Sequence, residues 1–499
     1  MSEPRVLVIG SGLGGLATAV ILARNGHRVC VLEQQAVAGG CLQCFRRRGV
    51  KFETGMHFIG SADRGQTLHR LMRYLGIADH VPLSRLDAHG YDVIALGGQQ
   101  YRFANGREAF IETLADCFPK QRDNLARYFS LVEQVAGASS LHSLRHAESD
   151  AAVNTRYMLQ SVNGVIDSVI SDPLLARVLV GNLPLYAAER DKTPFSVHAF
   201  ITDFYNQSAF RIVGGSDTVA RALIDQLQTL GGEVRTGCRA TRIVCRDGRA
   251  VGVEVNGEEL LPADIVISDA HPKRTLQLLD SSLLRPAFRR RIAAIPETVG
   301  GFSVYLHFKD GAMPYMNHNF YGYMGDTPWN CEIYTPAAWP KGFLYMHFCD
   351  EYHPQWARTG VILSYMQWHD VERWENTVTG RRGADYEDFK RRHAERLIDA
   401  LDQLLPGTRS SILRYYTSTP LTYRDFTGTE RGSMYGVAKD VAMSAAYRVS
   451  HKTRIPNVLL TGQNINSHGM LGVLVGSIVT CSELLSAETI YQQIIAADT

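Results

Sequence analysis

Residues Arg5 to Leu16 read RVLVIGSGLGGL, and this run constrains the fold more than any other part of the chain. Val6–Ile9 is a continuous apolar run, the pattern of a strand buried on both faces of a parallel sheet. Gly10, Gly12 and Gly15 follow in G-x-G-x-x-G spacing. The apolar stretch Leu16–Leu22 then reads as a helix that stops at Asn25-Gly26, and a second strand, Arg28–Leu32, ends in Glu33. Gly10 permits a tight turn, Gly12 lets a pyrophosphate approach the backbone, and Gly15 lets the helix pack closely on the strand. The helix N-terminus offers free N–H groups and a partial positive charge to phosphate. Glu33, 18 residues beyond Gly15, is placed to accept hydrogen bonds from an adenosine ribose and would repel a 2′-phosphate. This combination predicts a dinucleotide site; a glycine-rich structural turn is the plainer alternative.

Composition narrows the function classes. Of 499 residues, 45% are hydrophobic and 20% charged, and the net charge is +2. These values exclude wholesale disorder and a chain-wide basic field for nucleic acid. No apolar run reaches the ~18–20 residues of a membrane-spanning helix. The opening MSEPR leads straight into Val6–Ile9, too short for a signal-peptide core, so a cytoplasmic location is expected. Arg46–Arg48 and Arg289–Arg291 read as solvated surface, with peripheral membrane contact as the alternative. The nine cysteines form no disulfide framework, though Cys41 and Cys44 stand as C-x-x-C. No pattern of metal ligands stands out.

NAD and FAD sites share the opening features. Gly39-Gly40, six residues after Glu33, resembles the long fingerprint of FAD-containing oxidoreductases, with Cys41 where Arg or Lys is usual. Val50–Ser61, VKFETGMHFIGS, resembles the F-D-x-G-x-H-Y-I-G segment of retinol saturase-like flavoproteins. These belong to the broader phytoene desaturase and carotenoid isomerase superfamily; Glu53 and Phe58 replace the commoner Asp and Tyr. In the middle of the chain, Ser216 is expected to cap a helix with Asp217 in its first turn and an apolar stripe at Val219, Leu223, Leu227 and Leu230. Hairpin signals at Asp247-Gly248 and Asn256-Gly257 predict a three-stranded meander, and Ala263–Ile267 a buried strand ending in SDAHP. Gly214–Leu223 and Ala263–Pro272 resemble superfamily stretches, which implies that the Val234 backbone contacts the adenine. Thr419–Gly436 resembles the segment that meets the flavin from the substrate side. The short strand Asn457–Thr461, Gly462-Gln463 and the apolar helix Gly469–Leu485 resemble the terminal flavin motif, with Gln463 where Asp is commoner.

The resemblance therefore implies an α/β chain: a Rossmann-type FAD-binding domain with a parallel sheet and β-meander, and an inserted mixed α+β substrate domain. The expected division is 1–70, 205–275 and 450–499 against 71–204 and 276–449. Non-covalent FAD would be held by Gly10, Gly12, Leu13, Gly14, Gly15, Glu33, Gln34, Gly39, Gly40, Cys41, Val234, Gly462, Gln463, Gly469, Leu471 and Gly472. The implied activity is oxidoreduction, or redox-neutral isomerisation, at C=C bonds of a hydrophobic, conjugated polyene or isoprenoid-like substrate. His57 is the side chain between Gly55 and Gly60 suited to proton transfer; Tyr423 and His468 are further candidates. No second nucleotide motif names an electron donor or acceptor. Two alternatives stay open: thiol–disulfide chemistry at Cys41 and Cys44, and a non-catalytic lipid carrier on the same fold. All five Trp lie between Trp329 and Trp374, in a stretch rich in Phe and Tyr from Phe302 onward. That stretch lines an apolar pocket or forms an ordinary sheet core.

Overall fold

The computed structural model describes residues 5–144, 150–349, 353–443 and 449–498. Five parallel strands form the first sheet, in the spatial order Glu233–Arg235, Arg28–Leu32, Arg5–Ile9, Ile265–Ser268, Val458–Leu460. Its central strand is the opening apolar run, with Val6, Leu7 and Val8 all buried, as a strand covered on both faces requires. Helix Leu13–Arg24 lies against it and packs on helices Asp217–Thr229 and Gly469–Leu485. It starts three residues before the apolar stretch, because Gly12 is extended and the next two glycines already turn helically. Nearly the whole helix is buried, so polarity gives no sign of its true beginning.

The meander forms as expected: Ala240–Arg246, Arg249–Val255 and Glu259–Pro262 pair antiparallel. Both hairpin turns place their two central residues at positive φ (Asp247 47°, Gly248 74°; Asn256 56°, Gly257 81°), the conformation that Asp-Gly and Asn-Gly favour. Ser216 does not cap the following helix. It sits in helical conformation with no side-chain cap bond, and its hydroxyl instead donates to the Leu42 carbonyl at 3.1 Å. The stripe Val219, Leu223 and Leu227 is buried as expected.

A seven-stranded mixed sheet follows the order Ile412–Ser418, Gly300–Phe308, Ala357–Met366, Gly342–Cys349, Asn319–Tyr323, Asp92–Leu96, Gln99–Phe103. Most of the aromatic concentration is its core. Phe302, Phe308, Phe320, Trp339, Phe343, Tyr345 and Trp374 pack between the sheet and helix Ala384–Leu404. Tyr352 lies outside the described residues. Among the described residues no helix is long and apolar enough to cross a membrane.

Candidate functional site

A cavity of about 910 Å³ lies at the C-terminal edge of the parallel sheet, where Ile9 and Leu32 end their strands. Strand C-termini beside a glycine turn are where open α/β sheets take their ligands. The cavity joins residues far apart in sequence: Gly10, Gly12, Leu13 and Gly14; Glu33 and Gln34; Gly40 and Cys41; His57; Tyr423; Gln463 and Gly469. Gly15, Gly39, Val234, Gly462, Leu471 and Gly472 stand behind the wall rather than in it. Gly15 fulfils the packing role: a Cβ there would clash with the Gly10 carbonyl. Where the adenine was expected at Val234, the wall is made by Cys238, Arg239 and Ala240, immediately after that strand.

Glu33 is buried and held from three sides. Its Oε2 accepts from the Ser11 N–H (3.1 Å) and the Ser11 hydroxyl (2.5 Å), and its Oε1 accepts from the Gln35 N–H (2.7 Å). Ser11 Oγ also accepts from the Gly39 N–H at 3.1 Å, so one hydroxyl ties the first glycine turn to the second. Charge-assisted bonds of this kind fix a carboxylate's orientation. Ser11 escaped the sequence reading because it fills the unspecified x of G-x-G.

The glycine cradle is tight. Gly10 has φ 97°, and a Cβ on Gly14 would come within 2.6 Å of the Gly462 Cα. Asp269, which the sequence reading passed over, fills part of this space. It is the acid of SDAHP, just beyond strand Ile265–Ser268, and its carboxyl lies against the glycine turn, where a Cβ on Gly14 would meet its Oδ1 at 2.6 Å. Burial, with the nearby Glu33 charge, pushes it up to about 7. Its sequence signal was its place in the SDAHP end of the Ala263–Pro272 stretch that resembles the superfamily.

His57 lines the same cavity. Its Nδ1 is 3.6 Å from Glu53 Oε2, and both side chains are more than nine-tenths buried. Burial raises the Glu53 carboxyl, while His57, Arg211 and Lys51 act to lower it. The His57 carbonyl accepts from the Arg211 guanidinium at 3.2 Å, which fixes the backbone of this segment. Tyr423 stands between this cavity and an adjoining one of about 630 Å³, whose aromatic side is Phe45, Tyr305, Tyr416 and Phe426. Among the described residues of the aromatic-rich stretch, Tyr305 alone reaches either cavity. Burial raises the Tyr423 hydroxyl well above its ordinary range. His468 packs on Tyr435 (ring centroids 4.5 Å) outside the cavity wall, and burial lowers it to about 4. Burial pushes both Cys41 and Cys44 up to about 11, and both thiols are free. Cys44 turns away toward Ser216 (Sγ–Oγ 3.5 Å). Among the described residues no cluster of three or more acidic, His or Cys side chains could hold a metal.

The groups present fit a dinucleotide: a glycine cradle at a helix N-terminus, a fixed carboxylate two residues from the wall-forming Gln35, and a cavity of about 910 Å³. Comparison with known proteins agrees. The family described as flavin-containing amine oxidoreductase matches residues 13–480. All-trans-retinol 13,14-reductase of Rattus norvegicus is 29% identical over 541 aligned positions, covering 98% of this chain and 86% of that protein. Prolycopene isomerase 1 of an Oncidium hybrid cultivar is 23% identical, covering 97% and 84%. An oxidoreductase structure from Methanosarcina mazei superposes with TM-score 0.67 at 17% identity, covering 96% of this chain and all of that one, a likeness of fold.

Proposed function

We propose that this chain, which belongs to the family of flavin-containing amine oxidoreductases, uses non-covalent FAD to reduce, desaturate or isomerise C=C bonds of a hydrophobic, conjugated polyene or isoprenoid-like substrate. The observation that carries this reading is the pair of adjoining cavities. One joins the Gly10–Gly14 cradle and Glu33 to His57; the other adds an aromatic chamber across Tyr423. A conjugated chain has few polar handles, so shape and ring stacking must orient it, and the chamber supplies both. The relatives named above act, by their names, on a retinoid and a carotenoid.

FAD, when bound, supplies hydride transfer at its ring system. The protein's part is binding, orientation and proton handling. Ser11 and Glu33 fix one end of the site, and Gly10, Gly12, Gly14 and Gly15 add no side chain of their own to the cradle. Glu53 faces His57 Nδ1 at 3.6 Å, and His57 lines the cavity as the side chain placed to hold or give a proton. Thiol chemistry is disfavoured. With both thiols raised to about 11, the thiolate at neutral pH is on the order of one molecule in 10⁴.

The test is mass spectrometry of retinoid and carotenoid candidates incubated with oxidised and with dithionite-reduced protein. A gain of two hydrogens, a loss of two, or a changed retention time at constant mass identifies reduction, desaturation or isomerisation. No conversion of any polyene, with turnover of an amine instead, would overturn the proposal.

A further inference from the structure

Asp269 is the group in the cavity that the reading above leaves without a role. Its N–H donates to the Ile9 carbonyl at 2.8 Å, which anchors it beside the first strand. Its carboxyl reaches across to the start of helix Leu13–Arg24, where a Cβ on Gly12 would clash with its Oδ2. A Cβ on Gly14 would meet its Oδ1 at 2.6 Å, and Gly462 closes on it from the other side. This is the clear space beside a helix N-terminus that the sequence assigns to a pyrophosphate. An ionised carboxylate and a doubly charged pyrophosphate compete for that space and repel each other.

The other charged and titratable groups around it do not relieve this conflict. Glu33 adds a second negative charge nearby. The Cys41 thiol, raised by burial and by Asp269 itself, is neutral. His271 lines the cavity but is lowered to about 4 by burial and by Lys273, so it too is neutral. Arg274 also lines the cavity, but its guanidinium donates to the Gln277 side chain at 3.0 Å. Protonation of Asp269 removes the repulsion and turns an acceptor into a donor toward phosphate oxygen.

We propose that FAD and a proton enter this site together, with Asp269 binding the pyrophosphate region as a neutral acid. The inference rests on the FAD reading of the site. Burial brings Asp269 to about 7, so the required proton is within reach at neutral pH. The sign follows from linkage. Below that value the acid is already protonated and flavin binds with no net uptake. Above it each flavin takes up one proton, and Kd rises about tenfold per pH unit.

The experiment is calorimetric titration of FAD into flavin-stripped full-length protein at pH 6.0 and pH 8.5, each in Tris and in HEPES, whose ionisation heats differ. Expected are near-zero uptake at pH 6.0, close to one proton per flavin at pH 8.5, and a Kd weaker by about thirtyfold at the higher pH. Asp269→Asn should bind with a flat pH profile and more tightly than the native protein at pH 8.5. Flavin binding with no proton uptake at pH 8.5 overturns the role of Asp269, and the native-protein data decide this even if the variant fails to fold. Absence of FAD binding at pH 6.0 instead overturns the FAD reading itself.

Discussion

At the scale of single residues, the site works by fixing a few polar groups in a space otherwise kept empty. Glu33 is the clearest case, because three donors orient it before any ligand arrives. A hydrogen bond to a charged group is worth roughly 1.5–3 kcal/mol, so Glu33→Ala should weaken FAD binding on the order of ten- to a hundredfold. Fluorescence titration of flavin reads this directly, and unchanged affinity would remove Glu33 from the ribose. His57 predicts the opposite separation. It touches the cavity but not the cradle, and general acid–base assistance is typically worth ~10²–10⁴ in rate. His57→Ala should lower kcat at least about tenfold while flavin content stays full. Loss of flavin or of stability in this variant would instead make His57 a structural partner of Glu53.

At the scale of elements, the chain was legible wherever local chemistry dictates geometry. The glycine turn, the two left-handed hairpins and helix Gly469–Leu485 all follow from residues that admit few conformations. Ser216 was misread because a capping hydroxyl looks the same in sequence whether it turns to its own helix or to the Leu42 carbonyl. The aromatic stretch was ambiguous for a related reason: alternating aromatics suit a sheet core and a ligand pocket equally, and only packing against helix Ala384–Leu404 separates them. Asp269 and Ser11 were invisible because their partners are far away in sequence or hidden in unspecified motif positions. Elements also set which glycines tolerate change. In Gly14→Ala the new Cβ would press on the Gly462 backbone, a clash that no rotamer relieves, and overpacking of this kind costs typically about 1–3 kcal/mol. Gly137, at the end of helix Arg122–Gly137, has open space around it, so Gly137→Ala should stabilise by roughly 0.5–1 kcal/mol. Urea unfolding of both variants checks the opposite signs; equal effects would mean that the cradle relaxes freely.

At the scale of the whole molecule, the cavity acts as a clasp. Its walls come from the first sixty residues, from the segment after strand Ile265–Ser268, and from the returning C-terminal chain. One buried cluster contains Phe52 and Phe58, next to the cavity's His57, together with Tyr305, Tyr365 and Met434 from the strands and loops of the seven-stranded sheet. A ligand bound in such a clasp should therefore stabilise the chain as one cooperative unit. At a free concentration of 100 Kd, linkage supplies about 2.7 kcal/mol. With an unfolding entropy of about 2.1 cal/mol/K per residue, a 499-residue unit should gain roughly 3 °C in Tm. Calorimetric scans of flavin-stripped protein with and without FAD test this. A single transition moved by that amount agrees with coupling through the cluster that joins Phe52 to Tyr305. Two transitions, of which FAD moves only one and by a larger interval, would show that the seven-stranded sheet unfolds independently and that the cluster joining Phe52 to Tyr305 couples the halves too weakly to hold them together.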